Sequence, residues 1–454
     1  MSHGFAKLSQ KDCHTARMAR DSRFDGRFYV AVKTTGIFCR PICPANLPKE
    51  QNVEYFYDKA QALQAGYRPC LRCRPDSAPN SWAWKGVEVT FQRAVRMIEQ
   101  GELQASTLEQ LCQRLGISDR YLRKLFAHYL GMPPKQYALY YQLMFAKQLL
   151  HNSQLSITDI ALASGFNSVR RFNDAFRKVI KISPSQVRKN TSHDVQTNFV
   201  DLAYRGAFDW QHMLDFYRLR AIRGLETVSE THYQRYVELN GQQAWFSIGH
   251  AKPGVMRVEF QLDDITQLRD LVNRLRRMFD LDSDVGVIEQ HLNSIEPSLV
   301  KRSGIRIPGV WNTWEAGVRA ILGQQVSIKA AIGQLNLLAE TLQPDRVSHF
   351  PTPLEVAKSD LSFLRMPQSR KQTLARFADF VITQPDTEPS DWLTLKGIGP
   401  WTVNYAKLRG VSEPNCFLEG DLVVKKTRQQ FPNLSSLSVA PWGSYATFHC
   451  WSHA

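Results

Sequence analysis

The chain has 454 residues, 43% of them apolar, and its 57 Lys and Arg outnumber 42 Asp and Glu to give a net charge of +15. This length predicts several domains with ordinary buried cores, and the lack of any run of about eighteen apolar residues argues against a membrane-spanning helix. The charge is uneven: residues 1–197 hold 29 Lys and Arg against 15 Asp and Glu, whereas residues 198–454 hold 28 against 27. A basic half of that kind suits a polyanion, nucleic acid above all, although a solvated basic face alone gives a milder excess of the same sign. Eight cysteines without a secretion signal point to the cytoplasm.

Residues 1–80 carry the most informative spacing. Cys39 and Cys43 form a C-x3-C, and Cys70 and Cys73 form a C-x2-C about thirty residues on. Two close pairs fit one tetrahedral Zn(II) held by four thiolates, with disulfides or inert buried thiols as the alternatives. Zinc keeps such sulfurs deprotonated, and a thiolate is the nucleophile in methyl transfer. Methylation of one sulfur removes a negative charge, which favours binding to phosphate, and nothing in the motif reverses the step. The runs Thr34-Thr-Gly-Ile-Phe-Cys39-Arg-Pro-Ile-Cys43 and Gly66-Tyr-Arg-Pro-Cys70-Leu-Arg-Cys73 closely resemble the N-terminal metal domain of the Ada adaptive-response family. The resemblance implies a small α/β domain with one zinc on four cysteines. It further implies that Cys39 accepts a methyl group from a methylated DNA phosphate, with Thr35 and Arg68 as candidate DNA contacts.

A polar stretch, Pro75 to Ser81, reads as a linker, and helical patterning follows over residues 85–190. Apolar residues three and four apart from Thr107 to Phe126 break at Gly116, and Ser118 stands where an N-cap belongs. The pattern of helix, tight turn and helix recurs from Ser156 to Phe176 around Gly165, after a long apolar helix over about 133–151. One such pattern is weak, because many helical hairpins look alike. Two in tandem, each with a basic second helix, are far stronger. They resemble the AraC-type DNA-binding module, an all-α tandem helix-turn-helix. Arg120, Arg123 and Lys124, then Ser168, Arg170 and Arg171, are the candidate contacts to bases or phosphates.

The second half contains Leu395-Lys-Gly-Ile-Gly-Pro-Trp-Thr402, with Asp421 some twenty residues beyond. Gly397 and Gly399 around one apolar residue predict a sharp hairpin between helices that exposes backbone amides to a phosphate. The string resembles the helix-hairpin-helix motif of base-excision DNA glycosylases. Gly317 to Ser327, Trp401 to Tyr405, Pro441 to Trp451 and Phe208 to Phe216 extend the resemblance to the AlkA family of alkylation-repair glycosylases. It implies an α+β domain over 198–304, an all-α glycosylase domain over 305–454, and Asp421 as the catalytic carboxylate. An aspartate there suits N-glycosidic hydrolysis, which passes through an oxocarbenium-like sugar after the base is flipped out. Trp401, Tyr405, Trp451 and Phe216 are the candidate base pocket, selecting cationic alkylpurines by stacking and cation–π attraction, though any one of them could be ordinary core. Gln325 stands where the family pattern has an apolar wedge.

Glycosylases that also cut the strand carry a lysine where this chain has Trp401, so hydrolysis alone is expected. Only Cys416 and Cys450 lie near the C-terminus, too few for an iron–sulfur cluster there. No Pro-Cys-His-Arg motif of the O6-alkylguanine methyltransferases is present, which leaves Cys39 as the methyl acceptor. The whole chain is then expected to be a multidomain α+β protein that senses, activates and repairs in response to DNA alkylation. Its expected partners are double-stranded DNA and RNA polymerase, with no membrane, in a bacterial monomer associated with the nucleoid. Two rivals remain: a transcription regulator with an inactive glycosylase-like half, and a repair enzyme whose N-terminal half only tethers it to damage.

Overall fold

The computed structural model describes residues 8–57, 59–70, 73, 75, 89–99, 101–188, 198–385 and 387–453. All of the expected linker except Pro75 lies outside the described residues. The chain forms two compact units, Met1–Asp194 with Ile265–Arg269, and Val195–Asp264 with Asp270–Ala454. Helices and sheets both contribute, and among the described residues no helix is long and apolar enough to cross a membrane.

The first unit begins with a helix, Gln10–Ala19, started by a capping box between Ser9 and Asp12. Four short strands follow: β1 (Tyr29–Val32), β2 (Ile37–Cys39), β3 (Val53–Phe56) and β4 (Arg68–Pro69), in the order β3-β1-β2-β4. β2 and β4 run parallel with Ile37 opposite Arg68. Their C-terminal ends therefore arrive side by side, so the cysteine that closes β2 and the one that follows β4 become neighbours. Tyr29, Ala31, Phe38 and Ala62 pack beneath the sheet.

The two helix pairs are set by their caps. Thr107 and Gln110 form a capping box ahead of Leu108–Leu115, which ends on Gly116 in the left-handed region at φ 67°. Ser118 then accepts from the Tyr121 amide and starts Asp119–Leu130. After the Pro134–Asn152 helix the device repeats, with Ser156 capping Ile157–Ala163 and Ser168 capping Val169–Ile180. In each pair the second helix buries its apolar stripe, Leu122, Leu125 and Phe126 or Phe172 and Phe176. Its basic residues are thereby left on the opposite face.

The second unit holds a five-stranded antiparallel sheet of β5 (Asn198–Ala203), β6 (Glu226–Val228), β7 (His232–Leu239), β8 (Gln242–Lys252) and β9 (Val255–Leu262), ordered β5-β9-β8-β7-β6. β7 alternates buried and wetter positions along its length, as a strand covered on one face must. Helices follow, packed around Trp314, Phe377, Trp392 and Ile398. A buried ion network joins sheet to helices: Arg235 on β7 reaches Glu315 at 2.6 Å, and Arg319 reaches Glu315 at 2.8 Å and Glu226 at 3.0 Å. Burial opposes ionisation of Glu315, but Arg235 and Arg319 outweigh it and hold the carboxyl down at about 2. The network fixes the Thr313–Gly323 helix, which delivers the loop carrying Gln325.

The helix before the hairpin is a six-residue 3-10 helix, Pro389–Thr394, opened by a proline. The hairpin then turns at Gly397, at φ 97°, into Pro400–Gly410. A Cβ at Gly397 would lie 2.1 Å from Thr373 Oγ1, so both conformation and space call for glycine.

Candidate metal centre and candidate active-site cleft

Cys39, Cys43, Cys70 and Cys73 converge from β2, β4 and the turns after them, with their sulfurs all within 4.8 Å of one another. A tetrahedral zinc with bonds of about 2.3 Å needs sulfurs about 3.8 Å apart, so the cluster fits that ion. The donor set itself calls for a cation: the Cys39 thiol is pushed well up by its hydrogen bond to Cys73, by burial and by the neighbouring sulfurs. All eight cysteines are free, so the disulfide alternative is not realised.

The four sulfurs are not equivalent. Cys43 and Cys73 are buried and take backbone N–H groups, from Ala45 and from Arg40 at 3.3 Å respectively. Cys39 is half-buried and, among the described residues, accepts from no backbone amide. Arg40 is anchored by its guanidinium to the buried carboxylate of Asp25, which fixes the amide that faces Cys73. Thr35 is exposed in the turn ahead of β2 and Arg68 is exposed on β4, the two strands that lead into the cluster.

On the helix pairs, Arg120, Arg123, Lys124, Arg170 and Arg171 are all exposed. Arg123 is already paired with Asp119 at 2.8 Å, and the Ser168 hydroxyl is engaged by the Arg171 amide as the helix cap. A DNA contact from either one must compete with that local bond.

A cleft in the second unit encloses about 1300 Å³. That exceeds the usual range for a small-molecule pocket, in keeping with a mouth open to a polymer. Gln325, Gly397, Gly399, Trp401, Tyr405, Asp421 and Trp451 all line it. Asp421 caps the Leu422–Gln430 helix. Its Oδ1 accepts from the Val423 amide at 2.9 Å, the Val424 amide at 3.2 Å and the Trp451 indole N–H at 3.1 Å. Among the described residues its Oδ2 accepts from none, and this half-buried carboxylate keeps an oxygen open. The amides of Gly397 and Gly399 likewise donate to no protein group among the described residues. Gln324 ties the Gln325 loop to the hairpin, donating to Gly397 O at 3.2 Å and Thr402 Oγ1 at 3.0 Å.

The four aromatic residues divide. Trp401 and Tyr405 stack on each other, centroids 5.3 Å apart at 25°. Trp451 is spoken for by Asp421 and by a parallel stack on Phe216 at 6.3 Å and 15°. Phe216 does not line the cleft; it is 8% exposed, with the Arg220 guanidinium 3.7 Å from its ring centroid. Arg409 donates to Tyr405 Oη at 2.8 Å and also lies over Phe216, at 4.9 Å. Arg220, Arg319 and Arg409 line the cleft and were not anticipated from the sequence. The spacing of Phe216 and Arg220, four residues apart, was the one available sign of their pairing.

Three family descriptions match the chain: the metal binding domain of Ada over residues 12–76, a helix-turn-helix domain over 111–190 and the AlkA N-terminal domain over 199–312. A zinc domain, a helix-turn-helix region and an AlkA-type unit thus share one polypeptide. The chain is 32% identical to the probable bifunctional transcriptional activator/DNA repair enzyme AlkA of Mycobacterium tuberculosis, over 97% of this chain and 95% of that one. It therefore belongs to that family of bifunctional transcriptional activator/DNA repair enzymes. Partial relatives cover the two halves. DNA-3-methyladenine glycosylase 2 of Escherichia coli is 30% identical over 55% of this chain and 95% of its own length. The bifunctional transcriptional activator/DNA repair enzyme Ada of the same organism is 37% identical over 33% of this chain and 40% of its own.

Proposed function

We propose that this protein both senses methylated DNA and removes alkylated bases of the 3-methyladenine type, acting as an activator once its zinc domain is methylated. The glycosylase reading rests above all on Asp421, whose Oδ1 is held by three N–H donors while Oδ2 stays open beside the cleft. A fixed carboxylate there stabilises the oxocarbenium-like sugar and accepts a proton from the attacking water. Trp401 and Tyr405 form the stacking wall for the flipped base, and Gln325 fills the gap it leaves in the duplex. The open amides of Gly397 and Gly399 hold phosphate. No lysine lines the cleft among the described residues, which supports simple hydrolysis without strand cutting.

In the zinc domain, one bound zinc supplies charge that keeps the four sulfurs as thiolates. Cys39 is taken as the acceptor from the match of its motif to the Ada family; like Cys70 and unlike Cys43 and Cys73 it is half-buried, and among the described residues it accepts from no backbone amide. Its lone pair forms the S–CH3 bond as the methyl carbon–oxygen bond breaks, and that bonding pair stays on the phosphate. A neutral phosphotriester becomes a diester anion and the thiolate a thioether. Cys13 and Cys112 are poor competitors: both are buried, and burial pushes the Cys13 thiol up to about 12. Thr35 and Arg68 contact the damaged strand, and the exposed arginines and lysine of the two second helices read the promoter. RNA polymerase is the partner that activation requires, and a monomer suffices for each of these steps.

Incubation with methylated duplex DNA tests the reading when released bases and intact protein mass are measured together. Free 3-methyladenine and one added methyl at Cys39 are expected. An unmodified protein that releases no base would refute both halves.

A further inference from the structure

One buried cation of the first unit lies outside both the zinc cluster and any ion pair. Arg269 is 4% exposed, and among the described residues it meets no carboxylate. It belongs to a five-residue segment, Ile265–Arg269, that lies in the first unit although the sequence on either side belongs to the second. Its Nη2 donates to Ser164 O at 3.0 Å, across 105 positions. The guanidinium also lies over Tyr141 and Phe145, 5.5 and 5.0 Å from their ring centroids. With its amide turned to satisfy both groups, Gln104 accepts from both Nη atoms. Burial lowers the ionisation of Arg269 only to about 10, so the charge is kept at neutral pH. An aliphatic side chain would fill this place without the cost of burying a cation, so packing alone does not account for an arginine.

What the guanidinium grips is the turn of the second helix pair. Ile157–Ala163 ends at Ser164, Gly165 follows at φ 81°, and Ser168 then caps Val169–Ile180. Both carbonyls of that turn are held by side chains, Ser164 O by Arg269 and Gly165 O by Gln142 Nε2 at 3.1 Å. A buried carbonyl left without a donor is costly, so the bond holds the turn, and the turn sets the angle at which Val169–Ile180 leaves. In the first pair, the corresponding turn at Leu115 and Gly116 takes no side-chain donor among the described residues. We propose that Arg269 is a positioning residue for DNA reading, holding the Ser164–Gly165 turn so that Arg170 and Arg171 meet the duplex in register with the first pair. The inference rests on the promoter-reading role proposed above for the two second helices. The second pair then depends on a residue encoded 105 positions downstream, within the stretch that matches the AlkA N-terminal domain.

The test uses full-length protein pre-treated with methylated duplex. Wild type first selects its preferred duplex from a random-sequence pool, and hydroxyl-radical footprints are then taken on that duplex. Arg120→Ala and Arg170→Ala mark the patches protected by the first and second pairs. Arg269→Met should bind on the order of tenfold more weakly and lose the patch that Arg170→Ala loses. Its first patch, zinc content and 3-methyladenine release should be unchanged. Arg269→Lys, which keeps a charged donor for Ser164 O, should recover most of the second patch. Loss of both patches would make Arg269 a packing residue and overturn the proposal. Both patches at wild-type affinity in Arg269→Met would overturn it as well. Wild type that selects no sequence, while still releasing 3-methyladenine, would remove the promoter reading and the proposal with it.

Discussion

Asp421 illustrates how much of a residue's role is set by what holds it. Three donors converge on Oδ1, two from the start of its own helix and one from Trp451 across the fold, so the carboxylate is oriented before any substrate arrives. Asp421→Asn keeps the shape and removes the charge. Release of 3-methyladenine should fall on the order of 10²–10³-fold, while binding to an abasic-site analogue changes far less. Trp451→Phe removes only the indole donor and part of a stack. A single hydrogen bond contributes about 1 kcal/mol, so its loss of rate should be about tenfold or less, measured in the same assay. A Trp451→Phe effect as large as that of Asp421→Asn would mean that the indole acts on the base directly.

At the scale of elements, the hairpin makes an asymmetric prediction. Gly397 has φ 97° and meets Thr373, whereas Gly399 has open space where its Cβ would be and φ −113°. Gly397→Ala should destabilise the second unit by about 2 kcal/mol or more, and Gly399→Ala by less than about 1 kcal/mol, in denaturant titration. The zinc domain depends on its metal in a different way, since its strands are short and metal binding is folding energy at such sites. Cys70→Ala should lose zinc and the structure of that domain together, and full zinc content in the variant would exclude the ligand set. These elements were legible in the sequence because each is written in local chemistry. The Thr107, Ser118, Ser156 and Ser168 caps, the left-handed Gly116 and the two cysteine pairs need only near neighbours to be recognised. The arginines of the cleft were not legible. Arg319 donates to Arg220 O across 99 positions and Arg409 to Pro308 O across 101, contacts that only the folded chain defines. The same packing moved Phe216 from the expected pocket wall to a place behind Trp451.

At the scale of the whole molecule, the proposed function puts two chemistries in one chain: a cysteine cluster that acts once and is consumed, and an Asp421 cleft that turns over. The basic excess of residues 1–197 fits the half that must find DNA and stay on it, and the nearly neutral remainder relies on local arginines and hairpin amides. DNA affinity of the first half should accordingly fall steeply with salt, with the exposed arginines and lysine of the two second helices each contributing to the slope. The central claim is that methyl transfer and base excision are separate activities of one protein. The most direct measurement exposes full-length wild type, Cys39→Ser and Asp421→Asn to the same methylated duplex, with protein mass and released bases read from each reaction. Wild type should gain one methyl and release 3-methyladenine, Cys39→Ser should lose only the methyl gain, and Asp421→Asn should lose only the release. Methyl gain by Cys39→Ser, or undiminished base release by Asp421→Asn, would contradict the account.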